Sequence, residues 1–437
     1  MGAFSYFPHT GEDIRTMLER IGVQSLEDLY SDVPEEFLYK GEYDLPEAKS
    51  EDEVREWFRN LASRNVPLTV FAGAGAYDHY TPSVIPYVTS RSEFLTAYTP
   101  YQCEISQGTL RYIFEWQTMI CNLTGLDVAN ASMYDGPTAA AEAMRMCVAC
   151  TRKRNSVVAS ARLLPNVIDV LQTYAKYSGI NLVVTDDVQE AVAEGTLDLA
   201  GVIVPSINRF GIIESHLSLA DLVHEMGGLL VEYCDPSALA VVKTPAEWGA
   251  DIAVGDGQSL GIPLCYGGPY VGFMACRNEW MRKLPGRIVG QTADAEGRRA
   301  FVLTLQAREQ HIRREKATSN ICSNESLMAL WCTVYLSLMG PEGLRKVNAL
   351  CYERSHYLHD ALLATGKFTD PFEGREFLKE FALQPLCDVA KLQQALLDAG
   401  FFGALQTEEG YVTFCATERR TRDEIDRLVN VIKEAAL

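Results

Sequence analysis

Four short stretches of this chain carry residues whose types and spacing could do chemistry. The run Leu229-Leu230-Val231-Glu232-Tyr233-Cys234 reads as a strand and ends in Asp235-Pro236. An aspartate at the carboxyl end of a sheet strand can ion-pair a protonated pyridine nitrogen and keep that ring a good electron sink. The same Asp-Pro pair can equally be a plain turn. The stretch DGPTAAAEAM sets Gly136 and Thr138 at the head of an Ala-rich helix. Free N–H groups at such a start can hold a phosphate, although Thr138 and Glu142 also suit an ordinary capped helix. The cluster REQHIRREKATSNICSNES places Arg308, His311, Arg313, Arg314 and Lys316 ahead of Thr318, Ser319 and Asn320. In a chain this acidic it invites a phosphate, a carboxylate or an acidic partner; the alternative is a solvated loop paired with local acids. The fourth stretch, GDGQSLGIPLCYGGPYVGF, follows the strand-like run 250–254. A pyridoxal phosphate enzyme often carries its Schiff-base lysine in such a place. Gln258 and Ser259 stand there instead. Lys243 precedes the strand, Lys283 lies well beyond it, and no histidine falls between residues 225 and 310. A self-sufficient Schiff-base enzyme is therefore not expected.

These residues need a frame, and the middle of the chain supplies its rhythm. Short β-branched runs occur at Val157-Val158, Leu182-Val183-Val184, Val202-Ile203-Val204, Leu229-Leu230-Val231 and Ile252-Ala253-Val254. Helical segments (PNVIDVLQTYAKYSG, DVQEAVAEG, SLADLVHEMGG) separate most of them. Strand, helix, strand at these spacings predicts a mostly parallel α/β sheet with helices on both faces. Its ligand crevice then lies beyond the carboxyl ends of the strands. Residues 65–125 are rich in Tyr, Gly and Pro and read as packed loops, closed by a helix that Gly125 stops. Upstream, Thr10 caps a helix ending at Gly22, and Ser25 with Asp28 opens another. The expected division is an N-terminal helical arm over 1–64, a large α/β domain over 65–325 and a smaller α+β domain over 326–437.

With 437 residues, 47% of them hydrophobic, the chain can bury a large core. Its net charge of −19 argues against nucleic acid or an anionic membrane, which need excess Lys and Arg. No uninterrupted apolar stretch reads as a membrane span and no secretory signal opens the chain, so a cytoplasmic protein is expected. The twelve cysteines show no disulfide rhythm. Cys147 and Cys150 form a lone C-x-x-C, read as helix packing, and His356 and His359 an H-x-x-H, read as a solvated helix face. No metal site is expected. Gly73-Ala74-Gly75 lacks the third glycine and the βαβ setting of a dinucleotide loop.

Several long motifs together resemble one family, the glycine cleavage system P-protein, and within it the first (alpha) subunit of the two-chain form. They are LTAYTPYQCEISQGTLRYIFEWQTMICNLTGLDVANAS, DGPTAAAEAM, EWGADIAVGDGQSLGIPLCYGGPYVGF, LPGRIVGQTAD and REQHIRREKATSNICSN. The resemblance implies the fold type I pyridoxal phosphate-dependent transferase fold, typified by aspartate aminotransferase. It implies glycine decarboxylation with transfer of the aminomethyl group to the lipoyl H-protein, and no nicotinamide site in this chain. In that family the partner beta subunit (P-protein subunit 2) carries the cofactor lysine. Aligning the Ile-Pro that follows it with Ile262-Pro263 puts Gln258 at the lysine's place and makes Asp235 a retained but vestigial ring-nitrogen aspartate. The cofactor, pyridoxal phosphate, then sits on the beta subunit, in an alpha2beta2 heterotetramer that works with the H, T and L proteins. Thr318, Ser319 and Asn320, with Arg313 or Arg314, are expected to reach that site in trans, and Tyr98 and Tyr101 to line its entrance. A purely structural subunit and an independent enzyme using a free cofactor are the competing readings.

Overall fold

The five β-branched runs lie side by side in one seven-stranded sheet. In this computed structural model, which describes residues 8–151, 154–308, 310–317 and 319–436, the sheet runs Val128–Ala129, Gly272–Cys276, Ile252–Asp256, Leu229–Tyr233, Leu199–Pro205, Ser156–Ser160, Asn181–Thr185. The last five strands pair in parallel, and Gly272–Cys276 is antiparallel to both of its neighbours. Alternation along the strands sorts side chains to two faces. Val157, Ala159, Ile203, Val231 and Val254 meet the helices Gly136–Cys150 and Pro165–Ser178. Val158, Val202 and Leu230 meet Val188, Val192, Leu219 and Val223 of two shorter helices on the other face. Farther along that sheet, Ala253, Phe273 and Ala275 pack on Trp116 and Ile120 of the helix Gln107–Thr124, which Gly125 closes in the left-handed conformation.

The C-terminal third builds its own four-stranded antiparallel sheet, ordered Phe368–Thr369, Glu380–Pro385, Val412–Cys415, Leu405–Gln406. Helices Val389–Asp398 and Arg422–Glu434 contribute Leu392, Leu396, Ile425 and Leu428 to its core. The strand Thr69–Phe71, inside the stretch read as loops, pairs in parallel with Phe401–Gly403. Three residues are too few for alternation to declare them. The H-x-x-H reading needs correcting. His356 stacks on Phe377 at 4.0 Å, and His359 is buried with Nε2 3.3 Å from Asp370. Their helix face is packed, not solvated, because the strand Glu380–Pro385 and the residues leading into it lie against it. Cys147 is buried in its helix, as expected, and burial pushes its thiol well up.

The helix Ser326–Leu363 is long and apolar enough by composition to cross a membrane. Here Ala329, Cys332, Tyr335 and Leu336 pack into the core beside Phe273, and Gly340-Pro341 breaks the helix. Residues up to Val66 form a separate compact unit. Its two helices, Gly11–Ile21 and Glu51–Ala62, open with capping boxes (Thr10 with Asp13, Ser50 with Glu53) and bury no side chain.

One buried acid is costly to the fold. Glu232 lies fully inside the sheet, and neither carboxylate oxygen has a hydrogen-bond partner among the described residues. Burial pushes its carboxyl up to about 8, so it folds as the neutral acid, whereas an exposed glutamate ionises near about 4.3. Stability therefore falls as pH rises between those values. Glu232→Gln should stabilise the chain by up to about 3 kcal/mol at pH 7 and by nothing at pH 4, as read from unfolding temperatures across that range.

Candidate functional site

The strands Leu229–Tyr233 and Ile252–Asp256 end at the start of the helix Gly136–Cys150, and the polar residues of that junction are bonded to one another. Asp256 heads the short turn Gly257–Ser259. Its Oδ1 accepts from the Gln258 amide at 2.9 Å and its Oδ2 from the Gly136 amide at 3.1 Å. Asp135 caps the same helix, accepting from the Thr138 amide at 2.7 Å. A Cβ on Gly136 would lie 2.4 Å from the Tyr233 hydroxyl, so only glycine lets the helix start come this close. The helix N–H groups that could hold a phosphate thus already have carboxyl partners.

Gln258 is buried and fully engaged. Its Nε2 donates to the carbonyls of Tyr77 and Ile262 at 2.8 and 2.7 Å, and its Oε1 accepts from the Tyr77 amide at 2.7 Å. It clamps the segment Gly73 to Thr81 onto the sheet. Ser259 Oγ donates to Asp235 Oδ1, and Asp235 Oδ2 lies 2.6 Å from the Lys379 ammonium. Lys379 belongs to the C-terminal part of the chain, immediately before the strand Glu380–Pro385, and is buried. Its Nζ sits 4.2 Å from the Tyr77 ring centroid and 3.0 Å from His79 Nε2. An ammonium only donates, so Nε2 accepts and the ring proton lies on Nδ1, 2.7 Å from Glu418 Oε2. Glu418 Oε1 accepts from the Tyr80 amide, and Glu380 Oε1 from the Ala74 amide, both at 2.7 Å. Asp78 pairs with Arg419 and Arg420.

The electrostatics follow from these contacts. Burial pushes Asp235 up, but the Lys379 charge and bonds from Lys379 and Ser259 outweigh it and hold the carboxyl below its ordinary value. Burial works against the Lys379 charge, and Asp235 more than restores it, so the amine is raised. Burial likewise raises Glu418, yet His79 and the Tyr80 amide bring it down to about 2. Asp256 and Glu380 go the other way. Burial raises both to about 7, against the amides that bond them. Between Tyr77, Asn208, Tyr233, Asp235, Asp256 and Ser259 a cavity of only about 40 Å³ remains, room for a few waters. His79, Cys351 and Glu418 present ligand atoms within 4.8 Å of one another, but a cation there would face the Lys379 ammonium.

Pyridoxal phosphate does not fit these residues. No amine stands at position 258, Asp235 already holds a cation, the helix start already holds a carboxyl, and the space is too small. Asp235 and Gln258 do come together, joined through the turn that carries Ser259. The other residues singled out in the sequence line a different surface. Tyr98 and Tyr101 are exposed, and the Tyr101 hydroxyl accepts from Arg287 Nη2 at 3.2 Å beneath its guanidinium. Arg313 and Arg314 are exposed; Arg313 Nε donates to the Ala307 carbonyl. Ser319 Oγ accepts from the Ile321 amide, and Asn320 is exposed. Thr318 lies outside the described residues. Thr99 and Ser323 meet at 3.2 Å, Asn324 Nδ2 donates to the Ala131 carbonyl, and the Glu325 amide donates to Ser132 Oγ. The first of these bonds joins the tyrosine segment to the segment after the basic cluster, and the other two tie that segment to Ala131 and Ser132. Lys379, Asp256, His79 and Glu418 escape the sequence reading. One signal was available: Lys379-Glu380 interrupts the otherwise apolar run 377–383, and charges within a buried strand must be paired.

The model for the glycine cleavage system P-protein family matches residues 4–432. A probable glycine dehydrogenase (decarboxylating) subunit 1 of Moorella thermoacetica is 47% identical, covering 98% of this chain and 99% of its own. A protein of the same description from Anoxybacillus flavithermus is 46% identical, covering 97% of each chain. Among solved structures, an inhibitor-bound glycine decarboxylase (P-protein) superposes with a TM-score of 0.90 at 43% identity, over 99% of this chain and 100% of its own. A NifS-like protein of Rickettsia africae shares the fold alone, with a TM-score of 0.64 at 9% identity over 84% of this chain and 99% of its own.

Gln258 is thus a brace. Gln258→Ala would strip partners from the Tyr77 amide and carbonyl and the Ile262 carbonyl, at about 1–3 kcal/mol for each buried group left unpaired. A loss of at least about 3 kcal/mol is expected in denaturant unfolding of the purified chain.

Proposed function

This chain belongs to the glycine cleavage system P-protein family, and from that premise we propose that it is the lysine-free half of a two-subunit glycine decarboxylase, joined to a second P-protein subunit that binds pyridoxal phosphate covalently. It is a component of the enzyme that its relatives name glycine dehydrogenase (decarboxylating), and the scaffold-only reading is not favoured. What supports the division of labour is Gln258, which the Ile262-Pro263 match aligns with the lysine's place and which spends its amide on backbone bonds. An amide in that state captures no aldehyde, and the nearby Lys379 amine is held as an ammonium on Asp235, so in this reading the reactive amine comes from another polypeptide. When bound there, the cofactor supplies the electron sink for loss of glycine's carboxylate.

What this chain adds is a basic, exposed loop. Arg313 and Arg314, with Thr318, Ser319 and Asn320, offer donors for a phosphate or a carboxylate. Tyr98 and Tyr101 stand on the segment tied to the residues just after them and would line the shared entrance. Arg287, stacked on Tyr101, stiffens that edge. In this reading the aminomethyl group passes to the lipoyl arm of the H-protein, with the T and L proteins completing a cytoplasmic system around an alpha2beta2 assembly.

Co-expression with the second subunit should yield a one-to-one complex that decarboxylates glycine, while the isolated chain does not. Replacing Arg313 and Arg314 together by alanine should lower kcat/KM at least about tenfold with assembly intact, the loss expected when a charge-assisted bond to an anion is removed. Unchanged kinetics in that variant would return this chain to a scaffold. Glycine turnover by the chain alone would end the two-subunit reading.

A further inference from the structure

We propose that two side chains of this chain stand permanently where the two charged ends of the cofactor would otherwise be held: the Lys379 ammonium at the ring-nitrogen aspartate, and the Asp256 carboxyl at the helix start that would cradle the phosphate. Each substitution follows from a group that cannot be left alone. Asp235 is enclosed at the end of a sheet strand, and a buried carboxylate needs a cation. In a cofactor-binding chain the protonated ring supplies it; here Lys379 reaches in at 2.6 Å from the neighbouring C-terminal segment. The first amides of the helix Gly136–Cys150 likewise need acceptors. Asp256 Oδ2 takes the Gly136 amide and Asp135 the Thr138 amide, so an incoming phosphate would find its donors spent and two acids beside it. Gln258 completes the exchange by tying down the loop around Tyr77.

The residues form one connected unit. Ser259 joins Asp235 to the Gln258 turn, Lys379 touches both Tyr77 and His79, and Gln258 holds Tyr77 by its backbone. The missing lysine is therefore only one of several obstacles, and placing an amine at 258 does not by itself make a site. The cavity beside Asp235 and Asp256 is only about 40 Å³, and Lys379 still occupies the Asp235 carboxylate whatever stands at 258. This inference stands on the pocket alone. A chain with no role in its partner's active site would carry the same filled pocket, so the two can fail separately.

The test uses the complex co-purified with the second subunit. It is incubated with pyridoxal phosphate and reduced with borohydride, and the pyridoxyl adducts are mapped peptide by peptide on both chains. Gln258→Lys alone should give no adduct at position 258. Adding Lys379→Ala and Asp256→Ser should give one, in complexes that still assemble. An adduct on the single variant, or none on the assembled triple variant, overturns the proposal. Thermal unfolding reads the pair independently of any cofactor. Lys379→Met should lower the unfolding temperature sharply, and adding Asp235→Asn should recover most of the loss. No recovery would show that the ammonium is not there to balance Asp235, and would equally overturn it.

Discussion

A carboxylate buried at the end of a sheet strand cannot exist without a positive partner, and the geometry around Asp235 is organised by that need. Lys379 meets it across the boundary between the large sheet and the C-terminal sheet. The pair is worth little as a source of net stability, since burying two charges costs about as much as their attraction returns. Its force is in what it forbids. Moving the C-terminal strand by a few ångströms would leave two uncompensated charges inside the protein, a penalty of about 3–5 kcal/mol for losing either partner.

Around that pair the polar residues fall into a sequence of dependencies. His79 bonds Lys379 and is aligned by Glu418; Glu418 also takes the Tyr80 amide, and Glu380 takes the Ala74 amide. The segment Gly73 to Thr81 is thereby held on one side by carboxylates of the C-terminal region and on the other by Gln258. Burial raises Asp256 and Glu380 to about 7, but neither is left unpaired: Asp256 accepts a backbone amide on each oxygen, and Glu380 accepts the Ala74 amide on Oε1 and the Tyr77 hydroxyl on Oε2.

Much of the frame was readable from residue order. The β-branched runs became adjacent parallel strands because both faces of the sheet are covered, which demands continuous apolar segments. Gly22 and Gly125 stopped their helices because left-handed C-caps favour glycine. The pocket was readable by its missing lysine, by Asp235 at the strand end and by the helix start at Gly136, but not by what fills it. Lys379 lies 144 residues beyond Asp235 in sequence, and the pairs Gln258 with Tyr77 and Lys379 with His79 are farther apart still; the charges at 379–380 announce that partners are needed, but no local pattern says which. The H-x-x-H failed for a related reason. Its helix looks polar in isolation, and its burial is decided by Phe377 and Phe381, which arrive from a later strand.

The kink at Gly340-Pro341 and the ion pair at Asp235 act on opposite sides of the same question, which is whether the C-terminal third can swing. A swing of the C-terminal third would first have to part Lys379 from Asp235 inside the protein, so the contact that neutralises the carboxylate also latches the two sheets to each other.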